Sequence, residues 1–321
     1  MEKKYIFVEH YQTNVNEPFE HTIYEMSAEE FEKLVLANAQ VAKIYRFEEL
    51  FLMLINNLFD FNKIVLFYAD KMRLQSLDYV DSLQIRVDVN RVVLNFFATL
   101  TTYFDFIKQN FNNPLNCKSY DSNKKLQRCL AMRNYIQHIE SFPVKYNICI
   151  SQGDLNVKLS TINFQVNIAD LKIDQLKKCT QKKFNSFFEA NEDIDLYETI
   201  NQGFGEIQAL QKEIRKNSAY SEEYLQSKKF LLKIEEKIAR TTPGRHVFFE
   251  SDKTEKDLQH CNIATDMIKF IDENVKTYSC DGSIAEYYIT TAPRNFAMKC
   301  AQQIFVPEMQ KKLKKQNNIQ E

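Results

Sequence analysis

Residues 81–111 read DSLQIRVDVNRVVLNFFATLTTYFDFIKQNF. Ile85, Val89, Val92, Phe96, Leu100, Tyr103, Ile107 and Phe111 recur at three- and four-residue steps, which puts them on one stripe of a helix. An unbroken helix over this stretch is roughly 45 Å long. Gln84, Asp88, Arg91 and Asn95 form a polar stripe beside the apolar one. The period predicts a mainly α fold, and the rest of the chain is read outward from it.

Upstream, Ser27-Ala28-Glu29-Glu30 is a capping box, with Ser at the N-cap and Glu three residues on. It predicts a helix from there to about Phe59, with Phe31, Leu34, Val35, Val41, Ala42, Tyr45 and Leu50 at helical spacing. Ile64–Tyr68 is apolar but too short to assign, and Tyr5–Val8 reads as an edge strand in an extended start. Downstream, Pro114 and the polar residues 112–123 end the central helix. A third helix is expected from about Ser122 to Glu140, where Pro143 stops it.

The period then changes to two. Val144, Tyr146, Ile148 and Ile150, a turn at Gln152-Gly153-Asp154, then Leu155, Val157 and Leu159 predict a β-hairpin, with a phase slip near Thr161 that would accommodate a bulge. Helices are expected at about 170–183, 192–217 and 221–240. Gly203 and Gly205 lie inside the second and read as a kink or a close helix contact; with no strand expected before them, a phosphate loop is disfavoured. Beyond Thr242-Pro243-Gly244 the expectation is a strand at 246–249, a helix at about 254–278, a strand near 284–291 and a last helix ending in Lys311–Lys315. The chain thus divides into an N-terminal extension (1–26), a helical domain (27–143), a β-hairpin with a helical continuation (144–240) and a C-terminal α+β segment of unassigned role (241–321).

Composition narrows the function classes. Lys and Arg total 42 against 43 Asp and Glu, so any contact with a polyanion must come from a local patch. Only 5 Gly and 6 Pro disfavour turn-dense β architectures and glycine-rich phosphate loops. The seven Cys lack a CxxC and read as reduced core thiols of a cytoplasmic protein. The densest apolar run, Leu50–Ile55, falls short of the ~18 residues that span a bilayer, and no membrane partner is expected. The His at 10, 21, 246 and 260 form no HExxH. His260-Cys261 stands alone, so neither a metal nor a cofactor is expected.

The candidate chemistry lies in Arg133-Asn134-Tyr135-Ile136-Gln137-His138. On a wheel centred on Leu126, Arg133 falls about 20° away, in the middle of an apolar face with Cys129, Leu130 and Ile136. Gln137 lies close to it, and Asn134 and His138, four residues apart, share its flank. A buried guanidinium needs an anion or a polar cavity, and an imidazole exchanges protons near neutral pH. Together these groups would hold a phosphodiester, stabilise its charge and move a proton. The plainer alternative stays open: Arg133 pairs with a core carboxylate or reaches out to water, and His138 caps the helix end. Arg91 and Asn95, four residues apart on the long helix, either complete that pocket as substrate contacts or form a solvated stripe. Lys177, Lys178, Lys182 and Lys183, with the lysines at 311–315, either guide RNA or are ordinary solvated faces.

The run resembles the R-x4-H motif of HEPN domains (higher eukaryotes and prokaryotes nucleotide-binding), including the polar residue after the Arg. Leu130–His138 is similar to bacterial HEPN-like proteins with an RNYxQH run, and Asn90–Phe97 resembles their preceding long helix. The resemblance covers 27–143 well and the order of elements to about 240 loosely. It departs at Ile139, where relatives tend to carry a basic residue, which removes one phosphate contact. The resemblance implies a metal-independent, homodimeric endoribonuclease acting in defence or stress, with toxin-like members held by a neutralising or regulatory partner. It assigns His138 as general acid or base, Arg133 to the scissile phosphate and Asn134 to its orientation; Gln137, Arg91 and Asn95 are candidate substrate contacts by their helix positions alone. The alternatives are a non-catalytic nucleotide- or RNA-binding module and a purely structural helical interaction protein.

Overall fold

A computed structural model describes residues 4–14, 17–74, 79–111, 123–152, 158–238, 246–250 and 263–278. The fold is mainly helical. Strands β1 (Lys4–Asn14) and β2 (Glu17–Ser27) lead into α1 (Ala28–Leu74), α2 (Tyr79–Asn110) and α3 (Lys124–His138). There follow β3 (Lys145–Gln152), β4 (Lys158–Asn167), two 3-10 turns, α4 (Lys178–Asn185), β5 (Asp193–Asp195) and α5 (Leu196–Ile214). A π-helical stretch (Arg215–Ala219), α6 (Glu222–Ile238), β6 (His246–Glu250) and α7 (Thr265–Tyr278) complete it. The expected strand near 284–291, the helix ending at 311–315, the His260-Cys261 pair, Pro114 and the Gly153-Asp154 turn lie outside the described residues.

Two compact units emerge. Described residues within Met1–Glu49, Gln109–Asn112 and Lys212–Ser279 form one; those within Leu50–Lys108 and Asn113–Gln211 form the other. Helix α1 contributes to both. In the first unit the sheet order is β2-β1-β6, all antiparallel. Tyr5–Val8 is therefore central and not an edge: Tyr5 to Glu9 register against Glu250 to His246 on the side away from β2. A partner so distant in sequence leaves no local signal. The capping box forms as expected, with the Glu30 N–H donating to Ser27 Oγ (3.2 Å) and the Ser27 N–H to Glu30 Oε2 (3.4 Å). Glu48 and Arg215 form a buried bidentate pair, with Nε 2.9 Å from Oε1 and Nη2 2.5 Å from Oε2. The Tyr220 hydroxyl donates to the same carboxylate at 2.8 Å.

The second unit carries the candidate site. All eight stripe residues of 81–111 are buried, those from Ile85 to Ile107 inside this unit. Each such burial is worth roughly 1.5–3 kcal/mol. Helix α1 runs on without a break through Ile64–Tyr68, because Leu58, Phe61, Val65 and Tyr68 keep the three- and four-residue spacing and are buried. Phe51 stacks on Phe204 with centroids 5.9 Å apart, and Phe61 meets Phe164 and Tyr197. Strands β3, β4 and β5 form a second antiparallel sheet. The β3–β4 register runs unshifted from Lys145–Gln165 to Gln152–Lys158, so the slip near Thr161 makes no bulge. The expected helix at 170–183 is instead 3-10 turns at Ile168–Asp170 and Ile173–Gln175 followed by α4. A three-residue strand, β5, does precede α5, contrary to expectation. Gly203 nevertheless lies seven residues inside the helix, where a Cβ would sit 2.5 Å from Cys129 Cβ, so the close-contact reading holds.

Among the described residues one helix, Ala28–Lys71, is long and apolar enough to cross a membrane by length and composition. Reading Leu50–Ile55 alone understated this stretch. Its apolar residues divide: Leu50, Leu54, Leu58 and Val65 are buried, whereas Met53 and Phe67 are 43% and 61% exposed.

Candidate functional site

Helix α3 begins at Asn123, whose Oδ1 accepts the Leu126 N–H at 3.1 Å and whose amide donates to Glu206 Oε2 at 2.5 Å. Its first two turns are enclosed: Leu126, Gln127, Cys129, Leu130, Ala131 and Met132 are all buried. Such encirclement leaves room for only a small side chain where α5 crosses, and Cys129 against Gly203 supplies it. At its far end α3 is held by Phe142, whose ring stacks on Tyr135 at 5.6 Å. Asn90 clamps Phe142 by both backbone groups: its Nδ2 donates to the carbonyl and its Oδ1 accepts the N–H, each at 3.1 Å. The Tyr135 hydroxyl accepts the Lys172 N–H at 3.2 Å.

Arg133 sits on the side of α3 opposite the buried Tyr135, just past the enclosed turns. It is half-buried, and Gln137, one turn further along the same side, is exposed. The wheel placed Arg133 in the middle of a buried apolar face; on that face Leu126, Cys129 and Leu130 are buried, but Ile136 is only half-buried, and the residue buried further along, Tyr135, is on the opposite side of the helix. The guanidinium makes two bonds to Asn134 Oδ1, from Nε at 3.2 Å and from Nη2 at 2.6 Å. Among the described residues no carboxylate pairs with it. Its charge opposes, but does not overcome, the burial that pushes the Cys129 thiol up to about 12.

His138 is the last residue of α3 and is exposed, its imidazole making no hydrogen bond among the described residues. Five positions of helix separate it from Arg133 by about 140° around the axis and about 7.5 Å along it. The structure thus brings Arg133 and Asn134 together and leaves His138 and Gln137 at the open end. Arg91 and Asn95 are exposed on α2; among the described residues neither side chain makes a hydrogen bond, and the Asn95 carbonyl accepts from Asn57 Nδ2 at 3.4 Å. The α2 residue that holds the end of α3 is Asn90, whose amide can act as donor and acceptor at once.

Sequence reasoning missed Arg128. Its guanidinium donates to the Phe187 carbonyl at 3.0 Å, pairs with Glu192 and lies 4.5 Å over the Phe188 ring. Beside it opens a cleft of about 530 Å³ lined with Asn185, Ser186, Phe187, Phe188 and Glu189. A basic residue five positions before Arg133 was the only signal available. Of the cysteines whose side chains are described, Cys129 is buried as expected, but Cys179 is exposed on α4 and is no core thiol. Among the described residues no cluster of His, Cys, Asp or Glu is arranged to hold a metal ion. No protein-family model, no curated protein and no solved structure matches this chain.

Proposed function

We propose that this chain is a cytoplasmic, metal-independent endoribonuclease whose site is completed by a second copy. The observation that supports this most is the Arg133 guanidinium: half-buried, oriented by Asn134, and without an acid partner among the described residues. A charge kept this way is available to an external anion, and a phosphodiester is the anion the R-x4-H resemblance implies. Two α3 ends facing each other would bring one copy's guanidinium to the other copy's imidazole, which the 140° separation prevents within one helix.

In that arrangement His138 of one copy takes the proton from a ribose 2′-OH. The oxygen attacks the adjacent phosphorus, the bond to the 5′-oxygen breaks, and the imidazolium of the other copy protonates the leaving 5′-oxygen. The products are a 2′,3′-cyclic phosphate and a 5′-OH. Arg133 stabilises the charge that builds on the phosphorane, and proton transfer of this kind is worth about 10²–10⁴-fold. Gln137, exposed beside Arg133, contacts the flanking ribose; Arg91 and Asn95 contact RNA only if the second copy brings them to the groove. A role in defence or stress, under a neutralising partner, accords with the same resemblance.

The test is an oligonucleotide that is RNA throughout except for one 2′-deoxy position at the mapped cut. The proposal expects cleavage in chelator, cyclic phosphate ends, and no cut at the deoxy position. Cleavage there, or dependence on added metal, rejects it. A second reading, a non-catalytic helical interaction module, is favoured by the exposure of Leu83, Val87 and Leu94 along one side of α2. It predicts self-association or partner binding without turnover.

A further inference from the structure

Helix α4 lies antiparallel along α3. At one end the Lys172 amine reaches Glu140, two residues past His138, and its N–H bonds Tyr135. In the middle Phe184 meets Tyr135, with ring centroids 6.4 Å apart. At the other end Phe187 and Phe188 engage Arg128. Phe184 is buried, so one side of α4 is fixed against the core. On a helical wheel Lys178, Lys182 and Lys183 span about 140° on the side away from Phe184, and Lys177 precedes them.

All four lysines are exposed, and none is in an ion pair among the described residues. Neighbouring cations differ: Lys145 pairs with Asp170, Lys172 with Glu140 and Arg128 with Glu192. Residues 175–188 contain four lysines and no acid in a chain of net charge -1. The stripe ends at the cleft of about 530 Å³ beside half-exposed Phe187, whose wall carries Asn185 and Ser186 and also the carboxylates of Glu189 and of Glu192, the latter paired with Arg128.

We infer that the outer face of α4 is a track for the phosphate backbone of single-stranded RNA, running along the side of α3 that carries Arg128 and Tyr135 and ending where a base stacks on Phe187. The choice of RNA as occupant rests on the nuclease reading. An uncompensated cationic stripe gains affinity by releasing counterions from phosphates, and an aromatic ring at its end holds a base of any identity. A membrane surface fits less well, because the apolar side of α4 is turned inward and its outer face offers no residue to insert.

The probe is a short fluorescein-labelled oligouridylate, titrated by anisotropy against the full-length chain carrying His138→Ala, so that no cutting intervenes. Changing Lys177, Lys178, Lys182 and Lys183 to Gln is expected to weaken binding at least roughly tenfold at low salt, and to flatten the slope of log K against log salt by about 2–3, near 0.7 per lost phosphate contact. The same number of changes at exposed Lys63, Lys108, Lys229 and Lys233 is expected to leave both nearly unchanged. Phe187→Ala is expected to cost about fivefold or more with the salt slope preserved. Equal losses in both lysine variants, no loss in either, or tighter binding to phosphatidylserine vesicles than to RNA would overturn the inference. Cleavage by the wild-type chain with binding insensitive to the α4 lysines rejects this track and spares the nuclease reading; lysine-dependent binding without any cleavage does the reverse.

Discussion

Arg133 spends two N–H groups on one acceptor, the side-chain oxygen of Asn134, 2.6 Å from Nη2 and 3.2 Å from Nε. A guanidinium has five donors, so this neighbour fixes its direction without neutralising its charge. Asn134→Ala should therefore leave the fold intact and lower RNA cleavage by about tenfold through loss of orientation. Arg133→Lys should lose more, because an ammonium cannot reproduce the fork. Initial rates on one RNA substrate compare the two; equal activity in all three proteins would contradict the assigned roles.

Gly203 and Cys129 set the distance between α3 and α5. A Cβ at 203 would lie 2.5 Å from Cys129 Cβ and 2.6 Å from its Sγ. Gly203→Ala should destabilise the chain by about 1–3 kcal/mol, the cost of overpacking. Adding Cys129→Ala removes the sulfur contact but keeps the Cβ contact, so it should restore only part. Urea denaturation measures both, and a stabilised Gly203→Ala protein would show that the helices do not cross this closely.

The buried pair of Glu48 and Arg215 is expected to behave asymmetrically. Glu48→Gln leaves a guanidinium 8% exposed without its counter-charge, which should cost about 3–5 kcal/mol. Replacing Glu48, Arg215 and Tyr220 together by apolar residues of similar size should be far milder. Chemical denaturation of the two variants decides this, and a harmless Glu48→Gln would mean the pair is open to water.

Alkaline pH should loosen the fold. Burial pushes the Cys129 thiol up to about 12 from the ordinary 9.0, and likewise raises Tyr197 to about 12 from 10.0. Both groups are neutral when protonated, so the unfolded chain loses these protons first while the folded chain keeps them. Their stabilising effect is whole below about pH 9 and fades as pH rises toward about 12. Tm followed by circular dichroism should fall across that window, and alkylation mapped by mass spectrometry should mark Cys179 long before Cys129. A flat Tm, or equal labelling of the two thiols, would contradict the burial of Cys129.

What the sequence disclosed was whatever depends on near neighbours. The stripe from Ile85 to Phe111, the Ser27–Glu30 cap and the β3–β4 alternation are local patterns, and each appears in the structure. The central position of β1 depends on β6, which no short window contains. The depth of Arg133 escaped the wheel for a related reason: a wheel shows angle but not which side of each turn is covered, and beyond Leu130 the covered side is that of Tyr135, opposite Arg133. The clamp of Asn90 on Phe142 joins residues 52 apart and has no periodic signature. The lysines of α4 were visible, but not that Asp170, Glu140 and Glu192 are committed to other cations.

The most direct measurement is digestion of total RNA in chelator by the wild-type chain and by Arg133→Ala and His138→Ala, each verified as folded. If the two side chains act on one phosphate, the wild type yields fragments ending in 2′,3′-cyclic phosphate and 5′-OH, and each variant loses activity by about 10²-fold or more. Cleavage that survives both substitutions, or a wild-type chain that leaves RNA whole, contradicts the account.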